Sequence, residues 1–391
     1  MATKLANLGY LALKKQTDKD VAVVPNVYVP LYSESLNTMA NLDADNPIAG
    51  NKAAIFQHIQ GVRHHMGDVQ VLAEPNTAGY LFDMLLKKGS TTDANPLYTH
   101  PFTLDPTDPN AYTLDIAKGG VVFRFIGAEI SSIGHEFSDN KMLLNLAVSA
   151  RKSFIVREIA SVSGVGGITI TFKTNYDPSP TTGLVVGDII RILKADGTTV
   201  DRVIDTVDSI IAVTLTAGTT GVNDGDLFYI RAATPSFSTV TPFLWSRTEF
   251  RFGADAAGAL TAAHTPLQSG SAWTIEHQFE ENEGAKRSGS FDPAELVRTQ
   301  GDGELSVKVR FDTPEDMNRF LTVQKRACVI RHFSGTSHEL RVTLNNLKWS
   351  EAPIELNTGE IVYLEGTMKP EYDQSDAQVF DVKVLNAVAS I

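Results

Sequence analysis

The sequence holds few groups of residues whose types and spacing could do chemistry. The most metal-like group is the adjacent pair His64 and His65, with Asp68 nearby. Adjacent residues on a strand point to opposite faces, so these imidazoles are not expected to chelate one ion. The glycine-rich segment 164–167 lacks the Lys and the Ser or Thr that follow a phosphate-binding loop, which favours a simple turn. The sequence therefore predicts neither a metal site nor a cofactor site.

A second candidate is an acidic cluster, because paired carboxylates serve in general acid and base catalysis. Its carboxylates lie in a mixed-charge, glycine-containing loop that continues into two cations. Such a loop is normally solvated, and the alternative is that it orders against a neighbouring subunit. We predict no catalytic residue, and hence no enzyme. The subunit-interface candidates are Glu280, Glu281, Glu283, Lys286 and Arg287.

Composition indicates a folded protein that does not grip nucleic acid. Of the 391 residues, 42% are hydrophobic and 20% are charged, as in average globular proteins. No run approaches the ~18 apolar residues of a membrane span, and the N-terminus lacks a hydrophobic signal core, so no membrane partner is expected. The net charge of -12 argues against a basic surface for phosphate backbones. The single cysteine, Cys328, is expected to be a small buried hydrophobe.

The elements that must position these residues are mostly strands, since runs of β-branched and aromatic residues dominate. Two segments are predicted to be helical. The first spans 77–88 and ends before Gly89. The second spans 314–325, with Met317, Phe320 and Leu321 as its apolar stripe. We expect this stripe to pack on a sheet.

The two predicted helices lie in matching surroundings, which indicates an internal duplication of a β-rich unit of about 150 residues. Each is preceded by glycine, an acid and an alternating strand, and followed by a strand that begins near a histidine. The matching pairs are 67–77 with 303–314, 98–102 with 330–333, and 53–59 with 272–279.

Between the copies lies a stretch rich in Gly, Thr, Val and Asp, with short strands and turn dipeptides. This pattern favours a small β domain inserted in a loop of the first unit, pointing outward. The predicted boundaries are 1–159 for the first unit, 160–233 for the insert and 234–391 for the second unit. The fold class is mainly β: two β-sandwich or barrel units with one helix each, plus a small inserted β-barrel or Ig-like domain.

Residues 10–150 resemble the major tail tube proteins of siphophages, the bacteriophages with long non-contractile tails. The segments that carry the resemblance are 11–16, 28–36, 67–88, 98–104 and 125–130. Residues 237–388 are similar to the second half of the longer tube proteins. The insert lies outside the match and is similar to the decorating domains that such proteins often carry.

The resemblance implies a structural virion protein, made in the host bacterial cytoplasm, whose rings stack into the tail tube through which DNA is ejected. It implies no cofactor. The partner is the chain itself, with three copies giving a pseudo-hexameric ring and a hexamer as the alternative. Other partners are the tape measure and tail terminator proteins, and DNA that passes an acidic lumen without specific binding. The alternative function is a β-rich adhesin or carbohydrate-binding surface protein.

Overall fold

The computed structural model describes residues 9–45, 57–93, 96–104, 109–163, 168–174, 179–268, 270–279, 292–293, 295–311, 314–352, 354–355 and 362–391. Within these ranges the protein is mainly β, as predicted, and none of the helices there is both long and apolar enough to cross a membrane. The first part contains β1 (Leu11–Lys15), β2 (Val27–Val29), β3 (Leu31–Glu34), β4 (Asn37–Asp45), β5 (Gln57–Leu72), α1 (Pro75–Asp83), β6 (Lys87–Lys88), β7 (Thr92–Asp93), β8 (Tyr98–Thr103), β9 (Tyr112–Lys118), β10 (Val121–Ser138), β11 (Lys141–Ala150) and β12 (Lys152–Phe154).

Six strands then form a separate closed barrel, and a second β-rich part follows it. The barrel contains β13 (Val156–Ser163), β14 (Thr169–Phe172), β15 (Ile189–Leu193), β16 (Thr199–Ser209), β17 (Ala212–Leu215) and β18 (Leu227–Ile230). The second part contains β19 (Thr248–Gly253), α2 (Ala256–Thr261), β20 (Ala272–Phe279), β21 (Arg298–Arg310), α3 (Glu315–Leu321), β22 (Arg326–Ser334), β23 (His338–Glu351), β24 (Ile354–Glu355), β25 (Tyr363–Lys369) and β26 (Phe380–Asn386).

Eight strands form one antiparallel sheet, the long sheet, that runs through both parts of the chain. Its order is β4, β5, β11, β10, β20, β21, β25, β23. The first outer sheet has the order β2, β1, β9, β10, β12, and the second has the order β19, β22, β23, β26, β8. β10 and β23 are long enough to belong to the long sheet and to an outer sheet, and so they join the layers.

The same pairing order occurs twice. In chain order, β1, β4, β5, α1, β9, β10, β11 and β12 correspond to β19, β20, β21, α3, β22, β23, β25 and β26. The two strands that change sheets do so at a left-handed residue, Gly127 with φ 62° in β10 and Asn346 with φ 47° in β23. Three residues later each strand has a register shift, after Ile130 and after Trp349. The predicted duplication is therefore visible in the topology.

Several details differ from the sequence-based expectations. α1 and α3 are shorter than predicted, and α2 was not predicted at all. β8 was matched to β22, but β8 pairs with β26, and the strand that corresponds to β22 is β9. The barrel follows β12, and after the barrel the chain returns to the first unit at Phe243, which hydrogen-bonds Ala73 and Met142.

The core is shared between the units, because apolar side chains from both parts fill the space between the long sheet and the outer sheets. On α1, Phe82 is fully buried and its ring lies 6.3 Å from that of Trp273 on β20. The barrel has its own core, in which the rings of Phe172 and Phe228 meet at 4.8 Å. Fully burying one such side chain contributes roughly 1.5–3 kcal/mol.

A buried ion cluster fixes the barrel to the first unit. Arg124 on β10 donates to both carboxylate oxygens of Asp115 on β9, at 2.7 and 2.8 Å. It also donates to both oxygens of Asp188 in the barrel, at 2.6 and 2.9 Å, and to the Gly183 carbonyl at 2.9 Å. The side chains of Arg124 and Asp188 are each 1% exposed. The barrel is therefore held in a defined orientation.

Candidate functional site

The long sheet buries one face in the core and leaves the other face open. On β11, Leu144, Leu146 and Val148 are buried, and the residues that alternate with them, such as Asn145 and Ser149, are only partly covered. This is the alternation expected of a strand with one solvated face. The open face borders a concavity of about 1150 Å³ that spans β4, β5, β11, β10 and β20.

Carboxylates outnumber cations on the open face of the described part of the long sheet. The assignment to this face follows from the strand registers and the burial of alternate residues. The carboxylates are Asp68, Glu136, Glu276, Asp302, Glu304, Glu351 and Glu365, and the cations are Lys141, Lys308, Arg310, Lys348 and Lys369. Two of these cations are paired with carboxylates of the same face: Lys308 lies 2.6 Å from Glu365, and Lys369 lies 3.9 Å from Asp302.

Amides rather than cations hold the carboxylates at the centre of this face. Glu136 accepts hydrogen bonds from Gln70 at 2.6 Å and from Asn145 at 3.4 Å. Glu276 accepts one from Gln278 at 2.8 Å. Neutral amide donors leave the negative charge of these carboxylates in place, so the surface repels phosphate groups.

The two units meet where β10 pairs with β20 in the long sheet. Three pairs form this junction, Ser132 with Glu276, Ile133 with Ile275, and Gly134 with Thr274. A cluster of aromatic side chains lies beneath these strands, on the core side.

In this cluster Trp273 donates its backbone N–H to His135 Nδ1 at 3.1 Å and its indole N–H to His332 Nε2 at 3.0 Å. Burial lowers the pKa of His135 to about 3 and lowers the pKa of His332 as well. Both imidazoles are therefore neutral at neutral pH.

The edges of the long sheet are the counterparts of this internal junction. Within the described residues, β4 pairs with β5 alone, and the C-terminal part of β23 pairs in the long sheet with β25. β4 corresponds to β20, and β23 corresponds to β10. The two edge strands, β4 and β23, therefore correspond to β20 and β10, which pair with each other inside the chain.

The structure describes some of the site residues that were predicted from the sequence and not others. Glu280, Glu281, Glu283, Lys286 and Arg287 lie outside the described residues, as does segment 164–167, so their predicted roles stay predictions. Cys328 is fully buried, and burial raises the pKa of its thiol to about 12.

The histidine pair points to two faces, as predicted. His65 is 2% exposed and bonds Thr38 at 3.0 Å and Asp292 at 3.2 Å, whereas His64 lies on the open side. Asp68, singled out as a metal-like neighbour of this pair, belongs to the open face. Glu136 and Glu276 were missed there, although each occupies a polar position that alternates with apolar residues in its strand.

Comparison with protein-family models gave no match, and comparison with curated proteins gave no significant match either.

Proposed function

We propose that this chain is a structural protein of the tail tube type, which joins edge to edge into closed rings that stack into a tube. The observation that supports this most is the β10–β20 junction, because β23 of one copy and β4 of the next correspond in the repeat to these two paired strands. Closure of a ring in this way removes both free edges of the long sheet. The sequence resemblance to siphophage tube proteins supports the same proposal.

The repeat also gives the register of the proposed junction between copies. Ser132 and Glu351 are equivalent, because each is the first paired residue after the register shift of its strand, β10 or β23. Glu276 and Met39 are equivalent by their positions in the β20–β21 and β4–β5 hairpins. Since Ser132 pairs with Glu276, we expect Glu351 to pair with Met39 of the neighbouring copy.

Strand number favours three copies over two. Each copy contributes eight strands to the wall, so three copies contribute 24. With strands about 4.8 Å apart and tilted by about 40°, a 24-strand barrel is about 48 Å across between backbones. Two copies would give about 32 Å, and side chains on both walls would then leave too little room for a DNA double helix. Three copies form a pseudo-hexamer, because each contributes two units.

The open face of the long sheet would line the channel. Its carboxylates repel the phosphates of DNA, and its amide and hydroxyl groups offer contacts that are individually weak. DNA would therefore move along this wall without being held. In this proposal the chain acts in the virion, with the tape measure and terminator proteins as its tail partners and no catalytic step of its own.

Electron microscopy of the purified protein tests the proposal directly. We expect rings or tubes with a central channel, formed without added ligand. Monomers at every concentration, or aggregates with no channel, would contradict it.

A cysteine pair tests the register. The double variant Met39→Cys and Glu351→Cys should form a disulfide between copies under mild oxidation, because paired strand positions fall within disulfide range. The matched control is Met66→Cys with Glu351→Cys, which moves one thiol to the next strand, out of reach. Cys328 is buried and should stay silent. Equal cross-linking of both variants would refute the register.

A further inference from the structure

The second helix, α3, exposes apolar side chains where its counterpart in the first unit exposes none. The two helices occupy the same place in the repeat, since each follows the long second strand of the unit's first hairpin, β5 or β21. In α1, Leu81 and Phe82 are 1% and 0% exposed. At the end of α3, Leu321 is 70% exposed and Val323 just beyond it is 60% exposed, which corrects the expectation that Leu321 packs on a sheet.

The second unit is what covers α1. The ring of Phe82 packs near that of Trp273 on β20, and Asn386 on β26 donates to the Pro75 carbonyl at 2.9 Å. α1 also contacts β23. The helix of one unit is thus buried by the unit that follows it, whereas α3 packs against β23 of its own unit.

The backbone at the end of α3 gives a second, independent observation. Val323 has φ 53°, a left-handed conformation that β-branched residues avoid. The Val323 N–H donates to Phe320 O at 3.2 Å and the Gln324 N–H to Arg319 O at 3.0 Å, so Val323 occupies the position of a Schellman motif that glycine usually fills. Val323 makes this turn at a conformational cost and leaves its side chain 60% exposed, and such an outlier points to a functional contact.

We infer that the exposed end of α3, formed by Leu321 and Val323, docks against the first unit of the next copy in the ring. This inference rests on the proposed ring. In that ring the first unit of the next copy lies beside the second unit of this copy, in the way that the second unit lies beside the first within one chain. A second copy is therefore the occupant, and the contact continues from the proposed β23–β4 junction.

The surface that receives α3 follows from the same correspondence. β26 covers α1, and its counterpart in the first unit is β12. Beside β12 lies a segment with the exposed side chains of Val21 (56%) and Val24 (36%). Asp20 in this segment lies 3.1 Å from Lys152 on β12.

Most of the charges beside the two surfaces are already paired within the chain, and Asp20 lies 3.6 Å from Arg151 and 3.1 Å from Lys152. Asp18 and Asp20 lie beside Val21, and Arg319 and Lys325 lie beside Leu321 and Val323. Arg319 already pairs with Glu315, and Lys325 lies 3.1 Å from Glu371, so these cations would be shared with the neighbour rather than newly neutralised. Apolar contact would therefore supply most of the affinity, and charge the orientation.

The test compares assembly with the stability of the dissociated subunit. Leu321→Ser and Val323→Gly should each raise the concentration needed for half-maximal assembly, measured by light scattering, about 10- to 100-fold for loss of one buried aliphatic side chain. Val21→Ser should act in the same direction. In dilute subunits the melting temperature should stay unchanged for Leu321→Ser, and stay or rise for Val323→Gly, because glycine relieves the strain. A merely structural role would instead lower the melting temperature.

The control is Ile210→Ser, since Ile210 is 62% exposed on the barrel and should leave assembly unchanged. If the wild type forms rings and both α3 variants assemble at the wild-type concentration, the docking site is overturned and the proposed function stands. If Val21→Ser alone has no effect, the receiving surface is wrongly assigned. A wild type that never self-associates overturns both proposals.

Discussion

At the scale of single residues, the same guanidinium–carboxylate contact occurs in two very different settings. Arg124 is buried between Asp115 and Asp188, whereas Arg191 makes a bidentate contact with Asp201, at 2.6 and 2.8 Å, on the partly exposed outside of the barrel. Water screens the outer pair and does not reach the inner cluster. The inner cluster is therefore the polar part of the attachment between the barrel and the first unit, next to the apolar contacts of Val122 and Phe154.

Replacing Arg124 with Ala should lower the free energy of unfolding by about 3–5 kcal/mol, because two buried carboxylates lose their counterion. Arg191→Ala is the matched control and should cost about 1 kcal/mol or less. Urea unfolding of the whole chain measures both. Similar losses in the two variants would show that Arg124 does not carry the attachment.

At the scale of elements, strand content could be predicted because β-branched and aromatic runs are local signals. The helix ends could not. Leu321 fits the apolar stripe of α3 by spacing, but it is 70% exposed, because spacing along a helix does not show which of its turns meets a sheet. The match of β8 with β22 failed for a similar reason, since a histidine near a strand start says nothing about which distant strand it pairs with.

The open face illustrates the same limit. Asp68 could be singled out from sequence, but only as part of a metal-like group with His64 and His65. Glu136 and Glu276 join it through pairing between strands far apart in the chain, and register of that kind leaves no local trace. The charged loop that contains Glu280 and Arg287 can be recognised from sequence, because its composition is distinctive whether or not a partner binds it.

The strands that change sheets offer a matched pair of substitutions. A Cβ at Gly127 would lie 2.7 Å from the Lys19 carbonyl oxygen, and φ there is 62°. Gly127→Ala should therefore lower the free energy of unfolding by about 2–4 kcal/mol. Asn346→Gly, at the equivalent bend of β23, should change it by less than about 1 kcal/mol, because glycine adopts the same conformation freely.

Denaturant unfolding of the two variants and the wild type checks this prediction. A Gly127→Ala variant as stable as wild type would mean that β10 can change sheets without a left-handed residue.

At the scale of the whole molecule, the acidic lining should decide how an assembled tube treats DNA. The triple variant Asp68→Lys, Glu136→Lys, Glu276→Lys should bind double-stranded DNA, because three cations per copy face the channel. If the three cations of one copy each meet one phosphate, affinity should fall about 40-fold between 50 and 200 mM salt, and engagement of all three copies of a ring would raise this fall to about 10⁵-fold. Fluorescence anisotropy of labelled DNA measures this dependence.

A control variant distinguishes DNA that is bound in the channel from DNA that is bound on the outer surface. The control reverses three exposed carboxylates of the barrel, Asp196, Asp205 and Asp224, with the same change in net charge. DNA present during assembly should resist nuclease in the first variant and be digested in the control. Equal protection in both would contradict the assignment of the open face to the channel.

The pairing of β8 with β26 has a consequence for how the chain is made. β8 ends at Thr103 and β26 begins at Phe380, so a strand of the first unit completes its pairing only with a strand that is synthesised 277 residues later. At about 5–20 residues per second, the wait on the ribosome is roughly 14–56 s. During it, α1 lacks the strand that covers it. A nascent chain therefore keeps its first unit unfinished until β26 emerges, and this strand completes the pairing of both units.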